Sequence, residues 1–251
     1  MRGSRIGPVG RTSYTMLVAG QAIVAINKAL YKKLSYDSAT DFTFLGMLGV
    51  SPNLLLVNPN AVPVRSVAEL IALAKEKPGE ISYASNGPGS LTHLTAATLA
   101  KEAGIDLLHV PYQGAAPLIT DLMAGRIGMT FTGASTALPL VQSGQLRALA
   151  VTTAQRSQFS PDIPTLVESG FPTLNAPTWF GVMMRTATPA PIIARLRSEV
   201  AALTGREDYA NALKKSFFEV MRVPPEAADE YLAKERTLWI EAVKVAGVAI
   251  E

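Results

Sequence analysis

Between residues 81 and 152 the chain repeats one pattern, a short apolar run, a turn and an amphipathic stretch, at a spacing of roughly 20 residues. The runs at 81–84, 107–110, 128–131 and 146–152 read as buried strands, and 91–103, 116–124 and 135–142 read as helices. Each helix stops at a glycine, Gly104, Gly125 or Gly144, the residue that most easily takes the left-handed conformation a helix end calls for. Strands joined through helices run in the same direction, so βα units on a parallel sheet are expected here.

The flanks are less regular. A strand is expected over 14–19, a helix over 23–32, and a second buried strand over 54–57, stopped by Asn58-Pro59-Asn60. Ser66 with Glu69 has the spacing of a capping box and opens a helix that ends at Pro78-Gly79. Residues 155–178 hold four prolines and read as a long connection with one short helix near Leu166. A strand over 179–184 follows, then helices over 190–203, 206–216 and 225–245, the last opening on Pro225-Glu226.

Composition narrows the chemistry. Of 251 residues, 48% are hydrophobic and 17% charged, enough to build a core. The net charge of +3 is spread along the chain, with no basic run interleaved with aromatics, so a nucleic-acid partner is not expected. The absence of cysteine excludes disulfides, thiolate zinc sites and thiol nucleophiles. Two histidines, His93 and His109, are too few for a histidine-rich metal site, and no metal or cofactor is expected. The apolar run 16–26 falls short of the ~20 residues that span a bilayer. Arg2, Arg5 and Arg11 among glycines do not read as a signal peptide.

The most suggestive local feature runs from Tyr83 through Ser85-Asn86-Gly87-Pro88-Gly89-Ser90 to Thr92-His93. A strand ends, a glycine-rich loop turns, and a helix begins, which places free amides and the positive end of a helix dipole where an anion could sit. Ser90 or Thr92 could add hydroxyls, and an ordinary tight turn with Ser90 as N-cap is the plainer reading. The loop lacks the Gly-Lys-Ser/Thr of a phosphate loop and the third glycine of a dinucleotide fingerprint. A serine nucleophile served by His93 or His109 would need an orienting carboxylate, and no Gly-x-Ser-x-Gly elbow occurs. His93 more readily braces the loop or sits half-buried, and His109 reads as packed. Two more strand ends, 111–117 and 130–135, lead into helices on the same expected edge, where open sheets bind ligands. Trp179 could wall a cleft or sit in the core, Trp239 reads as packing, and Asp106 and Asp121 read as surface or cap groups.

Taken in order, several segments resemble one family. They are Tyr14-Thr15-Met16-Leu17, 27–37 with Asn27-Lys28-Ala29-Leu30-Tyr31, Asp41-Phe42-Thr43, 52–59, 66–79, and 83–93. His109-Val110-Pro111-Tyr112-Gln113-Gly114, 146–152, Pro161-Asp162-Ile163-Pro164-Thr165 and Glu168-Ser169-Gly170 continue the match. From about Tyr14 to the C-terminus the chain resembles the substrate-binding proteins of tripartite tricarboxylate transporters, the Bug or TctC-like receptors. The family segment that normally precedes Tyr14, a strand and a glycine-rich loop among it, has no match in 1–13.

The resemblance implies an α/β fold of the type II periplasmic binding protein kind. Two Rossmann-like lobes flank a cleft, the first lobe (1–58 plus 151–251) shortened at its N-terminus and the second spanning 59–150. Hinges are expected near 57–58 and between 149 and 179. It further implies capture of a small organic carboxylate by backbone amides, hydroxyls and bridging waters, in the periplasm, for the membrane subunits of a tripartite tricarboxylate-type transporter. Ser85, Asn86, Gly87, Gly89, Ser90 and His93, with Gly114 and Ala115, are the implied ligand residues of one lobe. Gly20, Gln21 and Ala22 are those of the other, and Trp179 is a further candidate. Thr132 and Ala134 stand where family members often carry an Asp, which favours a plain organic acid over an amino acid. Two other readings remain open: a hydrolase or lyase acting on a small carboxylate or ester on the same scaffold, and a remnant whose shortened lobe is covered by a homo-oligomer.

Overall fold

The computed structural model describes residues 15–248, so Tyr14, where the first strand was expected to begin, lies outside the described residues. Strand β1 (Leu17–Ala19) leads into a π-helical stretch (Ala22–Ile26) that continues as α1 (Asn27–Leu30). Then comes β2 (Phe42–Ser51), a strand that periodicity did not announce. Its alternation is broken by Gly46 and Gly49, and the pairing with β8 (Thr178–Arg185) shifts register at both glycines, as bulges do. At Gly46 a β-carbon would stand 2.6 Å from Cγ1 of Val200, so the glycine lets a helix close on the strand.

Next in order are β3 (Asn53–Val57), α2 (Val67–Glu76), β4 (Ser82–Ser85), α3 (Leu91–Ala103), β5 (Leu108–Pro111) and α4 (Ala115–Met123). They are followed by β6 (Met129–Gly133), α5 (Ala134–Gln142), β7 (Arg147–Val151) and β8, and then by α6 (Ala190–Gly205), α7 (Glu207–Lys214) and α8 (Pro225–Ala246). Ser66 caps α2 by accepting from the Glu69 amide, while Glu69 reaches back to the amide of Arg65, one residue earlier than a capping box would have it. The short helix expected near Leu166 is a series of turns. There Thr165 and Glu168 bond each other's amides through their side chains, and Leu166 itself is buried.

The strands form two sheets, β1-β8-β2 and β5-β4-β6-β3-β7. β4 runs parallel to β5 and β6, as the repeat predicts, but β3 runs antiparallel to both β6 and β7, so the larger sheet is mixed. The reason is entry point: β3 follows the antiparallel strand β2 of the other sheet and comes in from that side, without a helix before it. All five of its residues are buried. Leu55 and Val57 face one side with Leu70, Ala74 and Leu99 of α2 and α3, while Leu54 and Leu56 face the other with Leu118, Leu122 and Leu138 of α4 and α5. Each such leucine contributes about 2 kcal/mol of burial.

The division expected at 58/59 falls at the end of β3; the chain passes from the smaller sheet to the larger at Ser51–Asn53 and back at Ala176–Thr178. Residues 152–176 pack on the large sheet through Leu166, Phe171 and Leu174. Asn58, expected beside a hinge, bonds the carbonyls at the end of α4 from within the large lobe. Asn53 joins the two crossings. Its Nδ2 donates to Ala176 O at 3.1 Å and to Thr178 Oγ1 at 3.2 Å, and its backbone exchanges bonds with Thr152. Helix α8 packs Leu232 under the small sheet and Trp239 and Val243 against Leu94 of α3, so it spans both lobes.

Candidate functional site

The carboxyl ends of β4, β5 and β6 share one edge of the large sheet, and each passes into a helix there. The loop between β4 and α3 bonds itself closed. Ser90 Oγ donates to Gly87 O at 2.7 Å, and the Ser90 amide donates to the same carbonyl at 3.1 Å. The Asn86 amide donates to Thr92 Oγ1, the Gly87 amide to Ser85 Oγ, the His93 amide to Ser90 Oγ, and the Gly89 amide to Nδ1 of His93 at 3.1 Å. Gly87 and Gly89 make the turn with φ of 110° and 72°. A β-carbon on Gly89 would run into the methyls of Leu30, which packs here from α1.

The amides and hydroxyls expected to face a guest at residues 86–90 are therefore largely consumed within the loop. The first turn of α3 keeps the Leu91 and Thr92 amides, which no helix can satisfy from within. Among the described residues of the loop, Asn86 Oδ1 is the side-chain atom buried without a partner.

The starts of α4 and α5 differ. Their N-caps are Gly114 and Gly133, neither of which offers a side-chain bond. Gly114 holds φ 118°, open to glycine, with nothing within 4 Å of a β-carbon there. On α4, Ala115 and Ala116 are left with unsatisfied amides, and Pro117 has none to satisfy. On α5 the Ala134 amide already donates to Pro52 O at 3.0 Å, leaving those of Ser135 and Thr136. Thr132 and Ala134 themselves are buried. Tyr112 steadies the β5 end: its amide donates to Ser85 O, and its hydroxyl donates to Asp121 Oδ2 at 2.6 Å. Arg126 holds the same carboxylate, and the Tyr112 hydroxyl and Arg126 together keep Asp121 below the usual carboxylate range. Asp121 thus ties a site loop, where the sequence read a surface or cap group.

Two expected residues turn elsewhere. Of the two places the sequence left open for it, Trp179 takes the core: it is 0% exposed, and its Nε1 donates to Glu235 Oε2 at 2.8 Å inside the small lobe. Trp239 donates to the same oxygen at 3.2 Å, and burial raises the Glu235 pKa. Gln21 spends its side chain on the second crossing, donating through Nε2 to Pro177 O and accepting the Trp179 amide at Oε1. Gly20 lies so close to β8 that a β-carbon would be 2.7 Å from Trp179 O, and Ala22 is exposed at the start of the π-helical stretch. Leu30, Pro52 and Asn53 lie in segments that carry the family resemblance, but nothing in the sequence marked their roles, which depend on partners far along the chain.

Ser85 Oγ and His109 Nε2 stand 2.7 Å apart, the distance of a nucleophile and its base. Ser85 is 0% exposed, however, its oxygen accepts the Gly87 amide, and among the described residues no carboxylate bonds His109. The described residues also contain no group of three or more His, Cys, Asp or Glu that could hold a metal ion, and no helix long and apolar enough to cross a membrane.

Comparison with known proteins agrees with this architecture. The family described as tripartite tricarboxylate transporter family receptor matches residues 6–246. Rpa4515 of R. palustris, solved with adipate, is 34% identical with a TM-score of 0.80, over 94% of this chain and 79% of that one. MatC of Rhodopseudomonas palustris, solved with malate, is 25% identical with a TM-score of 0.75, over 91% and 79%. The periplasmic binding protein BugD is 27% identical with a TM-score of 0.76, over 95% and 80%. The chain belongs to the tripartite tricarboxylate transporter family of solute-binding receptors.

Proposed function

We propose that this receptor captures a small dicarboxylate at the carboxyl edge of the large sheet, holding one carboxylate on the first-turn amides of α4 and α5. The observation that carries the reading is the pair of glycine-started helices on one face of the sheet, each without a side-chain cap. A carboxylate supplies the missing acceptors, and the two helix dipoles favour its charge. Asn86, with a carboxamide that can turn either end to a guest, is the side-chain contact we assign on the α3 side. Gly20 and Ala22 face it from the other lobe in this reading, while Gln21 and Trp179 are supporting residues. Adipate and malate in two similar structures support the dicarboxylate class. No Lys or Arg is among the assigned residues, and Thr132 and Ala134 bring no carboxylate for an ammonium group.

The lobes in this reading divide at the two crossings, 51–53 and 176–178, which serve as the hinge. Work in the periplasm, delivering to the membrane subunits of a tripartite transporter, is inferred from the family and from the likeness to a periplasmic binding protein. A thermal-shift screen over mono-, di- and tricarboxylates tests the function. A specific ligand at 100 times its Kd stabilises by about 2.7 kcal/mol, and a flat response across all three classes overturns the reading. Tighter binding of aspartate than of any plain dicarboxylate overturns the ligand class.

A further inference from the structure

Under the loop 85–92 two imidazoles lie face to face. His93 of α3 and His109 of β5 have ring centroids 3.9 Å apart and planes inclined by 7°. Tyr83 of β4 lies against both, at 4.8 Å from His109 and 6.2 Å from His93. Each histidine is bonded to the loop above it. Since the Gly89 amide donates to Nδ1 of His93, that nitrogen carries a lone pair and the ring proton sits on Nε2. The second contact, Ser85 Oγ to His109 Nε2 at 2.7 Å, can be assigned by elimination. Gly87 O already accepts from the amide and the hydroxyl of Ser90, and the Gly87 amide donates to Ser85 Oγ. Ser85 Oγ also reaches Gly87 O, at 3.2 Å, but both lone pairs of that carbonyl are engaged by Ser90 and the contact to His109 is the shorter at 2.7 Å, so the Ser85 hydroxyl is best placed to donate to His109. With Ser90 donating to Gly87 O, Thr92 donates to Ser90 Oγ and in turn accepts the Asn86 amide. The His93 lone pair thus holds the Gly89 amide, and the His109 lone pair directs the Ser85 hydroxyl.

We propose that His93 and His109 are positioning residues, a stacked and uncharged pair that holds the loop in its binding shape, so that ligand capture needs both imidazoles neutral although neither touches the ligand. This rests on the reading of the site given above. The surroundings favour neutrality. Burial, with His109 adding to it, pushes His93 down to about 4, and burial also lowers His109. Tyr83, raised to about 12 by burial, stays uncharged beside them, and among the described residues no carboxylate or cation bonds either ring. The sign is that of a depressed base: the loop is intact near neutral pH and fails as pH falls from the free imidazole range toward about 4.

The test begins on the unliganded full chain. Long-range proton–nitrogen spectra should show both rings neutral near neutral pH, His93 protonated at Nε2, and the Gly89 amide protected from exchange. An imidazolium, or a proton on Nδ1 of His93, overturns the proposal. Adipate titrations of two variants follow. His93→Asn keeps an acceptor near Nδ1 and should bind within about threefold of the parent with Gly89 still protected. His93→Leu fills the space without an acceptor and should bind at least about tenfold more weakly, with Gly89 exposed to exchange. Equal adipate binding by His93→Leu and the parent overturns it. If no dicarboxylate binds the parent at all while the spectra are as expected, the functional reading fails and the loop assignment stands.

Discussion

The loop before α3 and the starts of α4 and α5 lie on one sheet edge but treat their polar groups in opposite ways. In the first, serine, threonine and histidine side chains satisfy the backbone, which leaves two first-turn amides and one carboxamide without partners. In the second, the glycine N-caps offer no side-chain bond: α4 keeps the Ala115 and Ala116 amides and α5 those of Ser135 and Thr136, the same number that α3 keeps, but with no side chain closing over them. In the proposed site, a self-bonded wall beside uncapped helix ends would divide the labour: one side would fix shape and the other supply donors to an anion.

The largest effect should come from breaking the rigid side. Gly89→Ala forces a side chain into φ 72° and onto Leu30, and should destabilise by about 3 kcal/mol in denaturant titration. Adding Leu30→Ala should return part of that loss, and no recovery would mean that backbone strain alone is responsible. The open side is probed by Ala115→Pro. Proline suits the first helical position and deletes one amide, so binding should weaken by about 2 kcal/mol in calorimetry while Tm barely moves. An unchanged Kd would remove α4 from the site. Ser66→Ala, at a capped helix away from the edge, should cost about 1 kcal/mol of stability and leave Kd untouched.

The smallest effect concerns a second closed cluster. Because burial raises the Glu235 pKa, the folded state binds that proton more tightly than the unfolded one. Its contribution therefore weakens stability as pH climbs from the ordinary value of 4.5 through the raised one. Glu235→Gln, which still offers an oxygen to Trp179 and Trp239, should flatten that pH dependence of Tm without changing dicarboxylate affinity. A steeper dependence in the variant would contradict the sign.

Much of the large lobe could be read from periodicity alone. Gly104, Gly125 and Gly144 all take the positive φ expected of them, and the helices and strands of 81–152 lie where the spacing put them. β2 escaped because two bulge glycines interrupt its alternation, and the direction of β3 escaped because burial of five residues in a row carries no sense of direction. At the site, the loops and their edge were legible. The internal bonding was not, since whether Ser90 and His93 face a ligand or their own backbone depends on distances that spacing does not encode. Trp179 stayed open between cleft and core, and Gln21 rested only on the resemblance, for a related reason: a polar tip or an indole near a strand end reads the same whether it lines a gap or anchors a core.

Asn53 has a mechanical consequence. Two separate strands between rigid bodies could flex, slide or twist independently, and the bodies would then move with several degrees of freedom. One carboxamide bonded to the partner crossing at Ala176 and Thr178 ties the pair together. With the crossings as the proposed hinge, that tie would leave the lobes a single axis to swing about.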